Sequence, residues 1–241
     1  DDKLRTLCRK TIDWADKHEG GNVTVNRMRQ NSKVYLAPQS PSNFRPTAAK
    51  YIYNTYGKQG VVYDPCAGWG GRLFGFLASN CERYIGTDPS KKSYNGLNEI
   101  ARTFNKGILF DEFKDIEIYN QCAEDWIPMR KVDLVFTSPP YFDCEKYSDE
   151  PTQSSLRHPT REKWTEGFLR EMIKGCKIIM KDDAKMILNI ANTTKHKWIE
   201  EETIRVASEE GFELEDTLHL VLSSIAGKGV KTEPVFIFGQ K

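Results

Sequence analysis

From residue 61 onward the chain alternates between short apolar runs and amphipathic stretches, and no other feature limits the possible folds as much. GVVYDP (60–65), RYIGTDP (83–89), IEIYNQC (116–122), VDLVFTS (132–138) and AKMILNIAN (184–192) read as strands. Between them GGRLFGFLASN (70–80), SKKSYNGLNEIARTFN (90–105) and REKWTEGFLREMIKGCKIIMK (161–181) read as helices, the last with apolar residues at Trp164, Phe168, Met172, Cys176 and Ile179. WIEEETIRVASEEG (198–211) is a further helix. Such alternation predicts an α/β fold, a mostly parallel sheet with helices on both faces. FELEDTLHLVLS (212–223) and PVFIFGQ (234–240) follow with no helix between them. The connection is too short for a helical crossover, so these two predict an antiparallel pair.

Upstream, FRPTAAKYIYNTYG (44–57) reads as a helix opened by Pro46 and closed by Gly57. Residues 1–43 are polar and read as an N-terminal extension to a domain spanning 44–241. Within the extension LRTLCRKTIDWADKH (4–18) predicts one helix, and NVTVNRMRQNSKVYLAPQSPSN (22–43), with Pro38 and Pro41, reads as a loop. The stretch FDCEKYSDEPTQSSLRHPT (142–160) has no core-forming pattern, and long loops of that kind are often functional.

Composition narrows the classes. The 241 residues suit one sizeable domain with an extension. Thirty-five basic residues against thirty-four acidic give a net charge of +1, which carries no global signature of nucleic-acid binding. No apolar run approaches the ~18 residues of a membrane span. No secretory signal is visible, so a cytoplasmic protein is expected. The six cysteines show no CxxC spacing and do not cluster in sequence with the four histidines, so no metal is expected and the thiols read as reduced.

Two motifs carry chemistry. DPCAGWGGRL (64–73) follows a strand and opens a helix, and Gly68, Gly70 and Gly71 permit a tight turn that a ligand can approach closely. Asp64 sits where a pyrophosphate would be repelled, which suits a cationic ligand. Asp88 ends the next strand, and Cys122-Ala123-Glu124-Asp125 follows the third, so three strand ends carry polar groups on the carboxyl edge, where open α/β sheets bind ligands. Asp64 and Asp88 also suit helix caps. The second motif is VFTSPPYF (135–142). Two prolines end the strand and fix a stiff corner holding the Ser138 side chain, the Pro139 carbonyl and the Tyr141 ring. Read without a ligand, it is a strand stop and surface turn.

Residues 42–240 resemble the class I S-adenosylmethionine-dependent methyltransferases, and Ser138-Pro139-Pro140-Tyr141 resembles the (Asp/Asn/Ser)-Pro-Pro-aromatic motif of the amino-methyltransferases. The resemblance implies a Rossmann-like methyltransferase fold of seven strands with an antiparallel last strand. It implies S-adenosylmethionine as cofactor. Asp64, Pro65, Cys66, Ala67, Gly68 and Gly70 would lie along its methionine end, and Asp88 with Pro89 at its ribose. Ala123 and Glu124 would lie at its adenine, because Cys122 stands where many members carry Asp. Asn43-Phe44-Arg45-Pro46 resembles the segment that packs on the cofactor from the N-terminal side, and also reads as a capped helix start. Ser138, Pro139, Pro140 and Tyr141 would be the catalytic residues, with Ser138 also bordering the cofactor.

The implied substrate is the exocyclic amine of a base flipped out of DNA, with cytosine N4 ahead of adenine N6 because of the Ser. The same chemistry on RNA or on a protein glutamine amide is the alternative, and a catalytically silent binding module is a third. No recognition domain remains in the chain, so base sequence would be read by residues 141–160, by residues 1–43, or by a missing region or partner subunit. Arg27, Arg29, Lys33, Lys91, Lys92, Lys228 and Lys231 are the candidate phosphate contacts.

Overall fold

The computed structural model describes residues 2–35, 43–105, 113–144, 147, 149–225 and 229–241. Pro38, Pro41, Lys228 and the side chain of Lys33 lie outside the described residues. The chain divides into two compact units, Asp1–Ser42 and Asn43–Lys241.

The first unit is a helical hairpin of α1 (Asp2–His18) and α2 (Val25–Tyr35). The second helix replaces the loop expected over 22–43. Its start is capped by Thr24, whose Oγ1 accepts from the Arg27 amide at 3.2 Å. It is tied to α1 by a hydrogen bond from Asn31 Nδ2 to Thr11 Oγ1 at 3.1 Å. Arg27, expected as a phosphate contact, lies 3.5 Å over the Trp14 ring and pairs with Glu19 at 2.5 Å. Its charge is already committed within the hairpin.

The second unit is a seven-stranded sheet of order β3-β2-β1-β4-β5-β7-β6. The strands are β1 (Val61–Asp64), β2 (Arg83–Thr87), β3 (Asp115–Tyr119), β4 (Val132–Thr137), β5 (Met180–Asn189), β6 (Phe212–Ile225) and β7 (Gly229–Gln240). The first five are parallel, and β7 runs antiparallel to both β5 and β6. Both faces of the central strands are buried, which is why β1, β4 and the second half of β5 are largely apolar. Leu134 and Phe136 of β4 face one core, with α3 (Pro46–Tyr56), α4 (Gly71–Leu77) and α5 (Lys91–Phe104). Val135 faces the other, built on Trp164, Phe168, Met172 and Val206. These come from α7 (Arg161–Trp164), a π-helical turn (Thr165–Arg170), α8 (Glu171–Ile179) and α9 (Ile199–Glu209). A single turn of helix, α6 (Ser154–Arg157), precedes α7.

Two boundaries differ from the sequence expectation. The long helix stops at Ile179, because Met180 turns to extended backbone (φ −71°, ψ 143°) and pairs with Val132 before the register shifts to Leu134–Lys185. The final hairpin is also longer than expected, its pairing continuing to Ile225–Gly229.

Candidate active site

The strand order reverses between β1 and β4, and such a switch point opens a crevice at the carboxyl edge. Asp64 ends β1 and is 1 % exposed. Its carboxylate accepts four hydrogen bonds: from Arg72 Nε at 2.8 Å and Nη2 at 3.2 Å, from Tyr84 Oη at 2.8 Å, and from Thr137 Oγ1 at 2.7 Å. A carboxylate offers about four acceptor positions, so this one is fully used. Burial alone would make Arg72 easier to deprotonate, but the adjoining Asp64 carboxylate outweighs it and holds the guanidinium charged. The Asp64 carboxylate thus ties the end of β1 to Tyr84 near the start of β2 and to Thr137 at the end of β4. The expectation that Asp64 meets a cationic ligand has to be revised, because its charge is met within the protein.

The turn after β1 is tied down just as closely. Thr87 Oγ1 donates to the Pro65 carbonyl at 2.6 Å, the Cys66 amide donates to Thr137 Oγ1 at 3.1 Å, and the Ala67 amide to the Thr87 carbonyl at 2.8 Å. Gly68 (φ +59°) and Gly70 (φ +85°) are both left-handed, which explains the glycines. Around a β-carbon built at Gly68, the nearest group is the Cys66 carbonyl at 3.8 Å, so that side of the turn is open to a ligand.

Asp88, one residue past β2, differs from Asp64. It accepts two backbone hydrogen bonds, from Gly68 at 3.0 Å and Ser90 at 2.9 Å, one on each oxygen, and the Ser93 side chain also bonds it. Burial pushes its pKa up to about 6 against the pull of those two amides and the Ser93 side chain. A carboxylate offers about four acceptor positions, so capacity remains for a ligand hydroxyl. Asn120 Nδ2 holds the Asp88 and Pro89 carbonyls, each at 2.9 Å, and so fixes the corner.

After β3, Ala123 is buried in the core. Arg157 reaches the Glu124 carboxylate at 2.5 Å and Asp125 at 2.7 Å. Burial raises the Glu124 pKa.

The segment Asn43-Phe44-Arg45-Pro46 supports the glycine turn from behind. Asn43 Oδ1 accepts from the Gly71 amide at 3.1 Å and its Nδ2 donates to the Trp69 carbonyl at 3.3 Å. Phe44 is 7 % exposed and meets Phe136 edge-on at 5.3 Å. Arg45 donates to the Leu222 carbonyl of β6, and Pro46 is the first residue of α3. Phe44 is therefore a core residue, and Arg45 is bonded to the sheet's outer hairpin.

At the end of β4, Pro139 is buried and Ser138, Pro140 and Tyr141 are half-buried. Ser138 Oγ donates to Asn189 Oδ1 at 3.4 Å, and Asn189 Nδ2 donates to the Pro234 carbonyl at 3.0 Å. The second bond fixes which way the Asn189 amide faces. With its proton directed at Asn189, Ser138 Oγ presents lone pairs elsewhere. Tyr141 Oη lies 3.4 Å from the Asn189 carbonyl and 3.3 Å from Glu233 Oε2. Phe142 adopts φ +55°, rare for an aromatic residue, and is buried against Trp164, His196 and Trp198. It packs beneath the loop, while Tyr141 stays half-buried at the surface of the motif.

The sequence reading passed over Arg72 and Asn189. Arg72 was detectable as a lone charge in an apolar helix. Asn189 sits inside the apolar run ILNIAN, with no local signal of its role.

The fold also brings cysteine and histidine together. Donor atoms of Asp143, Cys144 and His196 lie within 4.8 Å of one another. Asp143, however, already pairs with Lys195 and with His196. All six cysteines are free, with Cys81, Cys122 and Cys176 buried. Among the described residues no helix is long and apolar enough to cross a membrane.

This architecture and strand order define the Rossmann-like methyltransferase fold. Solved structures with it include an RNA methyltransferase candidate from Pyrococcus horikoshii, at TM-score 0.54 and 16 % identity, covering 85 % of this chain and 91 % of that one. A glycopeptide N-methyltransferase complexed with sinefungin aligns at TM-score 0.58 and 11 % identity, covering 84 % and 89 %. A SAM-dependent methyltransferase from Methanosarcina mazei aligns at TM-score 0.55 and 13 % identity, covering 78 % and 96 %. No family model matches the chain, and no curated protein matches it in sequence.

Proposed function

We propose that this chain is an S-adenosylmethionine-dependent amino-methyltransferase acting on the exocyclic amine of a base flipped out of DNA, cytosine N4 before adenine N6. The observation that carries the reading is the hydrogen bond from Ser138 to Asn189, which leaves the serine oxygen as an acceptor beside the Pro139 carbonyl. An exocyclic amine is a poor nucleophile because its lone pair is delocalised into the ring. Two fixed acceptors facing its two N–H groups draw the nitrogen toward a tetrahedral geometry and localise that pair. Their value lies in being held in place before the reaction, which favours the transition state over the ground state. Pro139 and Pro140 prevent the loop from relaxing. Tyr141 stacks on the extruded base.

The cofactor supplies an electrophilic methyl group on a sulfonium sulfur. Asp88 would take its ribose hydroxyls, and the open side of Gly68 would receive its methionine portion. Asp64 contributes by shaping this floor, since its charge is neutralised by Arg72. The test is to incubate the protein with S-adenosylmethionine and unmethylated DNA or RNA, digest to nucleosides and identify methylated bases by mass spectrometry. N4-methylcytosine or N6-methyladenine from DNA is the expected result. Methylation of RNA alone would keep the chemistry and replace the substrate. No methylated nucleoside from either, with cofactor binding intact, would overturn the nucleobase assignment.

A further inference from the structure

The Ser138–Tyr141 corner is followed by a second cluster that the proposed reaction does not use. Phe142 holds a left-handed φ of +55°, and Asp143 and Cys144 come directly after it. A bulky residue keeps such a conformation only where its surroundings impose it. The turn is closed by the Cys144 amide, which donates to the Tyr141 carbonyl at 3.2 Å. Opposite stands the loop after β5. It is folded on itself by the Thr193 amide donating to the His196 carbonyl at 2.8 Å and the His196 amide donating to Thr193 Oγ1 at 3.0 Å. The loop is tied to α9, where the Asn192 amide donates to Glu200 at 2.7 Å. The His196 ring is held edge-on by Phe142 and Trp198, at 5.2 and 5.6 Å. Its Nε2 faces Asp143 Oδ1 at 2.5 Å, and Cys144 Sγ lies 3.1 Å from Thr193 Oγ1. One donor atom each of Asp143, Cys144 and His196 therefore falls within 4.8 Å of the others.

We infer that Asp143, Cys144 and His196 bind a zinc ion, which staples the loop after the Ser138–Tyr141 corner to the loop after β5. A thiolate, an imidazole and a carboxylate suit zinc, whereas magnesium and calcium select oxygen ligands. Zinc bonds of about 2.0–2.3 Å in a tetrahedron set ligand atoms ~3.3–3.6 Å apart, so the cluster needs adjustments of about 1 Å. On binding, Cys144 Sγ gives its proton to solvent and a lone pair to the ion, and His196 coordinates through a ring nitrogen in its neutral form. Three protein ligands leave a fourth position for water. Lys195, whose ammonium pairs with Asp143, is the cation that zinc displaces. Its side chain is 60 % exposed, and a surface ion pair of that kind is weak, so the exchange returns the ammonium to water at little cost. His196 lies 53 residues from Asp143, which is why no ligand spacing shows in the sequence. As a staple the ion needs no part in methyl transfer, and the inference is independent of the reaction proposed above.

The test is to strip the full chain with a chelator, remove the chelator, and titrate with cobalt(II) as an absorbing substitute for zinc, then with zinc against a chromophoric chelator. One equivalent of cobalt should bind with a thiolate-to-cobalt charge-transfer band, and zinc should displace it and raise the melting temperature. Cys144→Ser should lose the band. Cys144→Ser, His196→Gln and Asp143→Asn should each weaken zinc by at least about tenfold, since even groups that only orient a zinc ligand are worth roughly 10- to 100-fold. Lys195→Ala removes the competing ammonium and should bind zinc more tightly. Cys8→Ser should match the wild type. Asp143 is exposed, so Asp143→Asn reads out binding even where a buried change impairs folding. A wild-type chain without a thiolate band, a band that survives in Cys144→Ser, zinc affinity unchanged in Asp143→Asn, or weaker binding by Lys195→Ala would overturn the assignment. Absence of methylation with zinc binding intact would fail only the proposed reaction.

Discussion

The ends of β1 and β2 carry acids that look interchangeable in sequence and have opposite environments. Asp64 receives four side-chain hydrogen bonds at 2.7–3.2 Å, two of them from a buried guanidinium. Asp88 receives two from backbone amides, and burial leaves its pKa near 6. The first is saturated and serves the fold. The second, met by two backbone amides and the Ser93 side chain with no cation paired to it, keeps acceptor capacity and is the acid proposed to meet the ligand. Acidity at a strand end marks a binding edge, but the number of donors already present decides which acid is available.

The sharpest way to break this comparison is Asp64→Ala. It strands Arg72 in the core without its partner, and removing one member of a buried pair costs about 3–5 kcal/mol. Urea denaturation should show a loss of that size. A drop below about 1 kcal/mol would mean that the Asp64–Arg72 pair does not hold the strand ends.

Tyr141→Ala should lower turnover by about 10- to 100-fold, from the loss of ~1–3 kcal/mol of base stacking, while cofactor affinity stays level. Undiminished turnover would remove Tyr141 from the stacking role.

Asp88 sharpens the contrast through pH. Its folded pKa is raised above the usual carboxylate value, so the free protein binds more protons there than the unfolded chain does. The stability it contributes is present below pH ~4 and lost as pH rises through about 6. Ribose hydroxyls favour the ionised form, so cofactor affinity should run the other way and weaken about tenfold per pH unit below pH 6. Titrations at pH 5, 6 and 7.5 check this, and a flat profile would detach Asp88 from the ligand.

The smallest effect is expected from Asn43→Ala. It removes the cap on the first amide of α4 and should cost about 1 kcal/mol by thermal unfolding.

Much of the fold was legible because burial on both faces forces continuous apolar strands and the helices between them are amphipathic. The central strands were readable on that ground, and β3 and β6, which carry exposed polar residues, by their place in the alternation. The helix over 25–35 was hidden because Val, Asn and Ser favour it weakly, and Thr24 and Asn31 secure it by bonds that only the folded hairpin reveals. The helix-to-strand change at Met180 was hidden because KIIMK is apolar in either period. At the site, the prolines and glycines were visible because their backbone constraints are local. The partners of Asp64, Ser138 and Glu124 lie 8, 51 and 33 residues away, and no spacing rule announces them.

The last hairpin carries a consequence for motion. Only Val235–Phe238 of β7 pair with β5, whereas its pairing with β6 runs on to Gly229. The outer part is a two-stranded arm beyond the body of the sheet, and two-stranded ribbons are marginal on their own. A single pair of strands should therefore show two regimes of amide hydrogen exchange. Protection should be near-global around Phe236 and Phe238 and much lower near Val221 and Val230. Glu233 and Pro234, which touch Tyr141 and Asn189, stand at the joint between these regimes. Opening of the arm would thereby be felt at the hydroxyl network of the Ser138–Tyr141 corner.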